Sequence, residues 1–213
     1  MIFNFSQCQR QLVLNCQWLE MDQLEKPVYY QGNQKILIGI SYTTDKFPTE
    51  YVPTVFENYQ TKVRVDEREV DLSLWDTAGQ EGYNNVRQLS YDNTDVFLIV
   101  YSVVESNSFS NALHKWHPEL NKDKFEQIPK IFVGNKIDMR NEGNSNHVKK
   151  TAAEQLIKNL KCNLFEVSAL TQEGLRPLFD TAIQIALKKK LNAINDAQKP
   201  SQPANDSQCC QLI

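Results

Sequence analysis

The stretch Val70-Asp71-Leu72-Ser73-Leu74-Trp75-Asp76-Thr77-Ala78-Gly79-Gln80-Glu81-Gly82-Tyr83 decides how the rest of the chain is interpreted. Its first six residues alternate between apolar and polar, which predicts a strand. Asp76 ends that strand, where a carboxylate can hold Mg²⁺ through its water shell. Gly79 lets the backbone approach a phosphate oxygen, and Gln80 can orient a water for attack on a γ-phosphate. A polar turn explains D-T-A-G alone equally well, but the ten-residue run from Leu74 is much more specific.

Composition limits the class of protein. The 213 residues are 41% hydrophobic, which is enough for one domain with its own core. A net charge of −3 gives no basic footprint, so no nucleic-acid partner is expected. Five cysteines at irregular spacing argue against a disulfide framework and for a reducing compartment. Neither a transmembrane run nor a secretory signal is visible, and we expect a protein of the cytoplasm.

A second polar turn follows another apolar strand. Residues 128–133 predict the strand, and Asn135-Lys136-Ile137-Asp138 follows it. An aspartate there can accept hydrogen bonds from both N1–H and the 2-amino group of guanine, a pair that adenine lacks. The asparagine would tie neighbouring loops together, and the lysine stem would cover the base. The tetrapeptide alone also fits a surface turn, but its place after a buried strand and downstream of D-T-A-G-Q favours guanine.

Together these motifs resemble the small GTPases of the Ras superfamily, and the loop Glu50-Tyr51-Val52-Pro53-Thr54-Val55-Phe56 resembles their Rho/Rac branch. The resemblance covers about residues 35–213. It implies an α/β domain of the P-loop GTPase type, with a six-stranded, mostly parallel sheet, helices on both faces and a truncated first helix. The chain then divides into an atypical arm at 1–34, a GTPase-like domain at 35–191 and a disordered tail at 192–213.

The resemblance also assigns site residues and ligands. It implies GTP or GDP with Mg²⁺, and it places Phe47 beside guanine, Tyr51 over the phosphates, and Thr54 and Asp76 at the metal. The remaining nucleotide-binding residues are Gly79, Asn135, Lys136, Asp138, Ser168, Ala169 and Leu170. Gln80 is the catalytic residue, and the amide of the Ser168-Ala169-Leu170 motif caps the guanine carbonyl.

Partners follow from the same resemblance. Effector proteins would contact Thr54, Val55, Phe56, Glu57, Asn58 and Tyr59, and regulators would contact the switch loops on either side of the sheet edge. The end of the chain, Cys210-Gln211-Leu212-Ile213, fits C-a-a-X, which predicts a prenyl group on Cys210 and leaves Cys209 for a palmitoyl group. We therefore expect a monomer at the cytoplasmic face of a membrane.

One motif of that family does not occur in the sequence. Lys35-Ile36-Leu37-Ile38-Gly39 predicts a short strand, which in a P-loop protein leads into G-x-x-x-x-G-K-S/T. Here Ile40-Ser41-Tyr42 follows at once and resembles the end of the family's first helix. The loop's lysine, its Ser/Thr and its backbone N–H donors for phosphate are therefore lacking. The chain resembles a GTP hydrolase, but we expect hydrolysis to be absent or very slow, which leaves its standing as an enzyme open.

Three explanations of this gap remain open. The chain is an incomplete version of a working GTPase, from a misjoined gene model or a splice form. Alternatively, it is a pseudo-GTPase that binds partners at a membrane without nucleotide. In the third, it binds guanine nucleotides weakly through Asp138 and Phe47 without turnover.

The ends of the domain are less distinctive. Residues 1–34 are rich in Gln and Asn, and we expect a loosely ordered arm there, with a short helix around 9–24 as a partner-binding alternative. Residues 171–191 carry an apolar stripe at helical spacing, which predicts the final helix against the sheet. The polar stretch after that helix predicts a tether.

Overall fold

The computed structural model describes residues 13–19, 38–39, 41–42, 58–65, 68–77, 91, 93–141 and 143–197. Its strands are β1 Val13–Leu19, β2 Asn58–Val65, β3 Arg68–Thr77, β4 Val96–Ser102, β5 Lys130–Asn135 and β6 Asn163–Glu166. Within the described residues these strands form one sheet in the order β2-β3-β1-β4-β5-β6. β2 and β3 pair antiparallel, and every other neighbouring pair is parallel. The predicted α/β fold with a parallel sheet is confirmed.

The helices lie between the strands in sequence. They are α1 Ser106–Asn111, which continues through a π-helical turn Ala112–Trp116 into α2 His117–Leu120, then α3 Lys150–Asn159 and α4 Leu175–Ala197. Short 3-10 turns cover Asp123–Phe125 and Ile137–Met139. Glu105 is the N-cap residue of α1, and the Ser106 hydroxyl donates to Asn146 Oδ1 at 2.8 Å.

Two apolar clusters lie on opposite faces of the sheet. Along β4, Val96, Leu98 and Val100 belong to the cluster that packs on α4, since alternate residues of a strand point to opposite faces. The residues between them, Phe97, Ile99 and Tyr101, belong to the cluster under α1, α2 and α3. All of β4 is buried, because helices cover both of its faces.

The central strand corrects a prediction. Residues 13–19 lie in the segment 1–34, where a loosely ordered arm was expected and a short helix around 9–24 was the alternative. Instead, β1 pairs parallel with both β3 and β4. Apolar residues stand at every second position from Leu14 to Trp18, with Asn15 and Gln17 between them. This period of two is the signal of a strand, and the helix prediction overlooked it.

The predicted strand at residues 35–39 is wrong at its described positions, because residues 38–39 and 41–42 are helical. Ile38 and Ser41 are buried, and the Tyr42 ring stacks on Phe179 of α4 with centroids 4.1 Å apart. A short apolar run does not by itself distinguish a strand from a buried helix. Since residues 38–39 already belong to a helix, no strand ends at Gly39.

Gly39 fits this helical placement. A methyl group at this position would collide with Leu74 of β3, so the missing side chain lets the helical segment lie directly on the sheet. The segment thereby covers part of the face that α4 also covers.

The final helix is longer than predicted. α4 ends at Ala197, six residues past the predicted end at 191 and inside the predicted tail. Residues 192–197 contain neither glycine nor proline, and the next proline is Pro200, so no helix breaker stands where the tail was expected to start. In the described part of the chain, no helix has the length and hydropathy of a membrane span.

Candidate functional site

Two polar segments leave the sheet side by side at its carboxyl edge. β5 ends at Asn135 and β6 ends at Glu166, and the two strands pair in parallel with Gly134 opposite Glu166. The Val167 amide donates to the Gly134 carbonyl at 2.8 Å, which extends this pairing by one bond. The segments 135–140 and 166–171 therefore begin as neighbours, as both sequence motifs require.

Four contacts then join these segments. Ser168 Oγ donates to Asp138 Oδ1 at 2.5 Å, the Ala169 amide donates to Asn135 Oδ1 at 3.2 Å, and the Ile137 amide donates to the Val167 carbonyl at 3.3 Å. The fourth contact is an ion pair in which Arg140 donates two hydrogen bonds to Glu166, one of them 2.9 Å long. We call this set the base-site ladder; its rungs are Asn135–Ala169, Ile137–Val167, Asp138–Ser168 and Arg140–Glu166.

A residue in the left-handed backbone conformation sets the direction of segment 135–140. Lys136 has φ 69° and ψ 37°, a conformation that is strained for a residue with a side chain. This turn directs the chain from β5 into the 3-10 turn Ile137–Met139. Asn135 stays 2% exposed and Ser168 is fully buried, while Asp138 is exposed at the rim. The buried residues Asn135 and Ser168 thus support an accessible carboxylate on Asp138.

That carboxylate retains capacity for a ligand. An ionised carboxylate offers about four lone-pair positions, and Ser168 uses one of them. The Ser168 hydroxyl in turn accepts the Thr171 amide at 3.0 Å, which fixes its orientation. The arrangement can accept two parallel N–H donors, which is the pattern on the guanine edge.

The Ala169 peptide is held from two sides. Its amide donates to Asn135, and its carbonyl accepts the Ser41 hydroxyl at 2.8 Å. The amide predicted to cap guanine therefore donates to Asn135 here, and capping a base requires Asn135 to share or release it. Leu170, 44% exposed, lies at the rim.

A buried phenol lies close to the ion pair of the ladder. Burial is the main reason that the pKa of Tyr101 is raised far above its ordinary value, and the Glu166 carboxylate adds to the effect. Tyr101 therefore stays neutral in any ordinary buffer, and the local charge balance is that of Arg140 and Glu166.

Ser41, Arg140 and Glu166 were not identified from the sequence. Arg140 and Glu166 each stand two residues from a motif residue, Asp138 and Ser168, but nothing in the sequence shows that they meet. Ser41 contacts a residue 128 positions away, which no local pattern can reveal.

The phosphate side is described only in part. Asp76 lies at the carboxyl end of β3 with Trp18 of β1 opposite, and Asn58 and Tyr59 belong to edge strand β2. The other predicted residues lie outside the described part of the chain: Phe47, Tyr51, Thr54, Val55, Phe56, Glu57, Gly79, Gln80, Cys209 and Cys210. Among the described side chains, no three of the His, Cys, Asp and Glu type group as metal ligands.

The comparison with known protein families agrees with the two segments described above. A family model described as the Ras family matches residues 30–188, which is most of the chain. The match includes both segments of the base-site ladder and leaves β1 outside. Domains of this family generally bind GTP or GDP with Mg²⁺. The chain belongs to the Ras family of small GTP-binding proteins.

Proposed function

We propose that this chain is a Rho-like small GTP-binding protein that recognises the guanine base and holds the phosphates only weakly. The observation that carries the proposal is the base-site ladder, which brings Asn135, Asp138, Ser168 and Ala169 together around an accessible carboxylate. Asp138 would accept the two guanine donors, the Ala169 amide would meet the guanine carbonyl, and the Lys136 stem would cover the ring.

The weak phosphate grip follows from the sequence. No G-x-x-x-x-G-K-S/T occurs in the 213 residues, so the family's nest of amides and its lysine have no counterpart. A triphosphate does not leave water without such charge-assisted donors. GTP hydrolysis, which Gln80 would support with Mg²⁺ at Thr54 and Asp76, is therefore absent or very slow in this chain.

The complete form of this lineage would be a membrane-anchored switch. Residues 50–59 resemble the Rho effector loop, and the last four residues fit a prenylation signal at Cys210. In that form GTP would order the switch loops, and effectors would bind at residues 54–59.

A titration with monophosphates tests the proposal, because it isolates the base. Amide NMR spectra are recorded with GMP, IMP and AMP. GMP is expected to shift the amides of 135–140 and 166–171, and IMP, which lacks the 2-amino group, to bind about tenfold more weakly, the equivalent of one hydrogen bond. AMP is expected to leave them unchanged. A GMP titration that moves none of these amides would overturn base recognition.

A second candidate function is a nucleotide-independent binding module. The favouring observation is that Asp138 and the Ala169 amide hydrogen-bond to other residues of the chain, Ser168 and Asn135. This candidate predicts no change in melting temperature when GTP and Mg²⁺ are added. A rise of several degrees would exclude it, because a ligand that binds only the folded state stabilises that state.

A further inference from the structure

The fourth rung of the base-site ladder has no role in either sequence motif. Arg140 and Glu166 form an ion pair whose side chains are only 13% and 9% exposed. Arg140 lies two residues after Asp138, and Glu166 lies two residues before Ser168. The pair therefore joins the same two segments as the rung that holds the proposed guanine-recognition carboxylate.

The geometry of this rung differs from that of the other three. Each of those is a single hydrogen bond, whereas the planar guanidinium of Arg140 contacts both oxygens of Glu166. A two-point contact between planar groups fixes rotation as well as distance. This rung can therefore hold the angle between the two segments, which a single bond cannot.

The ion pair does more to hold the segment of Asp138 in place than to hold the sheet. The end of β6 is already fixed by its pairing with β5 and by the bond from Val167 to Gly134. The 3-10 turn Ile137–Met139, in contrast, contains no buried residue, and Met139 is 43% exposed. Ile137 packs against the apolar cluster under α1, α2 and α3 and so fixes the start of the turn, whereas Asp138 and Met139 are exposed and depend on polar contacts for their position.

We infer that Arg140 and Glu166 are a positioning pair that sets the orientation of Asp138 and thereby the preference for guanine. The effect on guanine preference rests on the proposed function. The effect on the orientation of Asp138 does not, since it concerns contacts within the protein alone.

Hydrogen exchange of the free protein tests the ladder. The Ala169 amide reports the rung to Asn135 Oδ1, and the Thr171 amide reports the orientation of Ser168 through its bond to Ser168 Oγ. In Arg140→Met, both are expected to exchange at least tenfold faster, while the Phe97 amide, bonded to Pro129 at the other end of the sheet, keeps its rate. Arg140→Lys retains the charge without the planar fork and should be intermediate.

The matched control removes an exposed pair. Lys62 and Glu69 form an ion pair on the β2–β3 hairpin with side chains 67% and 66% exposed. Lys62→Met is expected to leave the Ala169 and Thr171 amides unchanged. Unchanged rates in Arg140→Met, or an equal increase at Phe97, would overturn the inference, because the pair would then be dispensable or merely stabilising.

Base selectivity is the second measurement. In Arg140→Met, the ratio of GMP to IMP affinity is expected to fall towards one, because a displaced Asp138 no longer engages the 2-amino group. A protein that is only less stable would lose affinity for GMP and IMP by the same factor. If the unmodified chain binds neither nucleotide, the proposed function fails, and the exchange rates alone decide the inference.

Discussion

The two sides of the sheet differ in how their carboxyl ends are organised. Beyond β5 and β6, two segments are joined by four polar contacts, and Asn135 and Ser168 are buried there. Beyond β1 and β3, the predicted site depends on Asp76 and on a phosphate loop whose pattern the sequence lacks. The residues of the proposed base site other than Phe47 therefore meet within residues 135–171, whereas the sequence lacks the pattern of the family's phosphate loop.

This difference shows that the proposed halves of the site depend on different parts of the chain. The base side uses side chains of two segments that hydrogen-bond to each other. The phosphate side of the family uses backbone amides of one glycine-rich loop. The base-site ladder therefore does not need the pattern G-x-x-x-x-G-K-S/T in order to form.

The largest expected effect comes from restoring that loop. A ten-residue segment ending in G-K-S, inserted between the end of β1 at Leu19 and the helical residues 38–39, should raise GTP affinity at least about a thousandfold. Two charge-assisted hydrogen bonds of about 2 kcal/mol each already account for this factor. Isothermal titration with GTP and Mg²⁺ measures it. The control is a glycine-serine insert of equal length, which should bind GTP no better than the parent. Equal affinity in both inserts would show that the missing loop is not the cause.

The base side should depend on Asp138 almost as strongly. Asp138→Ala removes the acceptor of two guanine hydrogen bonds, and at about 1.5 kcal/mol each the affinity for GMP should fall about a hundredfold. NMR titration of the amides of 166–171 gives the affinity. Asp180→Ala is the control, since Asp180 lies on α4 in a pair with Arg176. GMP binding that survives the Asp138 change would mean that the base lies elsewhere.

A smaller effect is expected from the turn that supports Ser168. Gly174 has φ +75°, and a methyl group there would collide with the Glu166 carbonyl, so Gly174→Ala should lower the free energy of unfolding by about 2 kcal/mol. Urea denaturation measures the change. Glu173→Ala alters an exposed neighbour and should change stability little. A Gly174→Ala protein as stable as the parent would contradict the strained turn.

The smallest expected effect is a pH dependence of stability that comes from a histidine outside both halves of the proposed site. Burial, with help from Lys130, lowers the pKa of His117, which is 8% exposed and has its Nε2 3.9 Å from Cys162 Sγ. The unfolded state then binds the proton more readily, so stability is complete above about pH 6.5 and falls as the pH drops below it. The loss is at most about 1.4 kcal/mol per pH unit for a single group.

Urea denaturation at pH 7 and pH 5.5 tests this dependence on His117. The His117→Gln protein should lose less stability between the two pH values than the parent, because the depressed group is absent. His114→Gln is the control, because His114 lies on the same helical run and is exposed. An identical loss in parent and His117→Gln would rule out this histidine as the source.

The sequence predicted the base side well. The apolar residues of 128–133 predicted β5, and the stripe on α4 predicted its buried face, because periodicity and length suffice for elements buried by their neighbours. The Asp138 and Ser168 motifs were identified and do meet. The rung between Arg140 and Glu166 was not, because a contact across 26 positions leaves no local pattern.

The first strand was mispredicted for a physical reason. Residues 35–39 have the stronger apolar run, and residues 13–19 lie in a polar context, so hydrophobicity favoured the wrong segment. What decided the outcome is tertiary packing, since Tyr42 stacks on Phe179 of the final helix. Local sequence does not contain that constraint.

The bond from Ser41 to Ala169 has a consequence for the order of folding. It closes a loop of 128 positions, whereas the bond from Ser168 to Asp138 closes one of 30. The longer closure is less favourable by roughly 1.3 kcal/mol of chain entropy. We therefore expect the base-site ladder to form early and the Ser41 helix to dock late. On the ribosome, that helix must wait until most of the chain has been synthesised before its buried hydroxyl finds an acceptor.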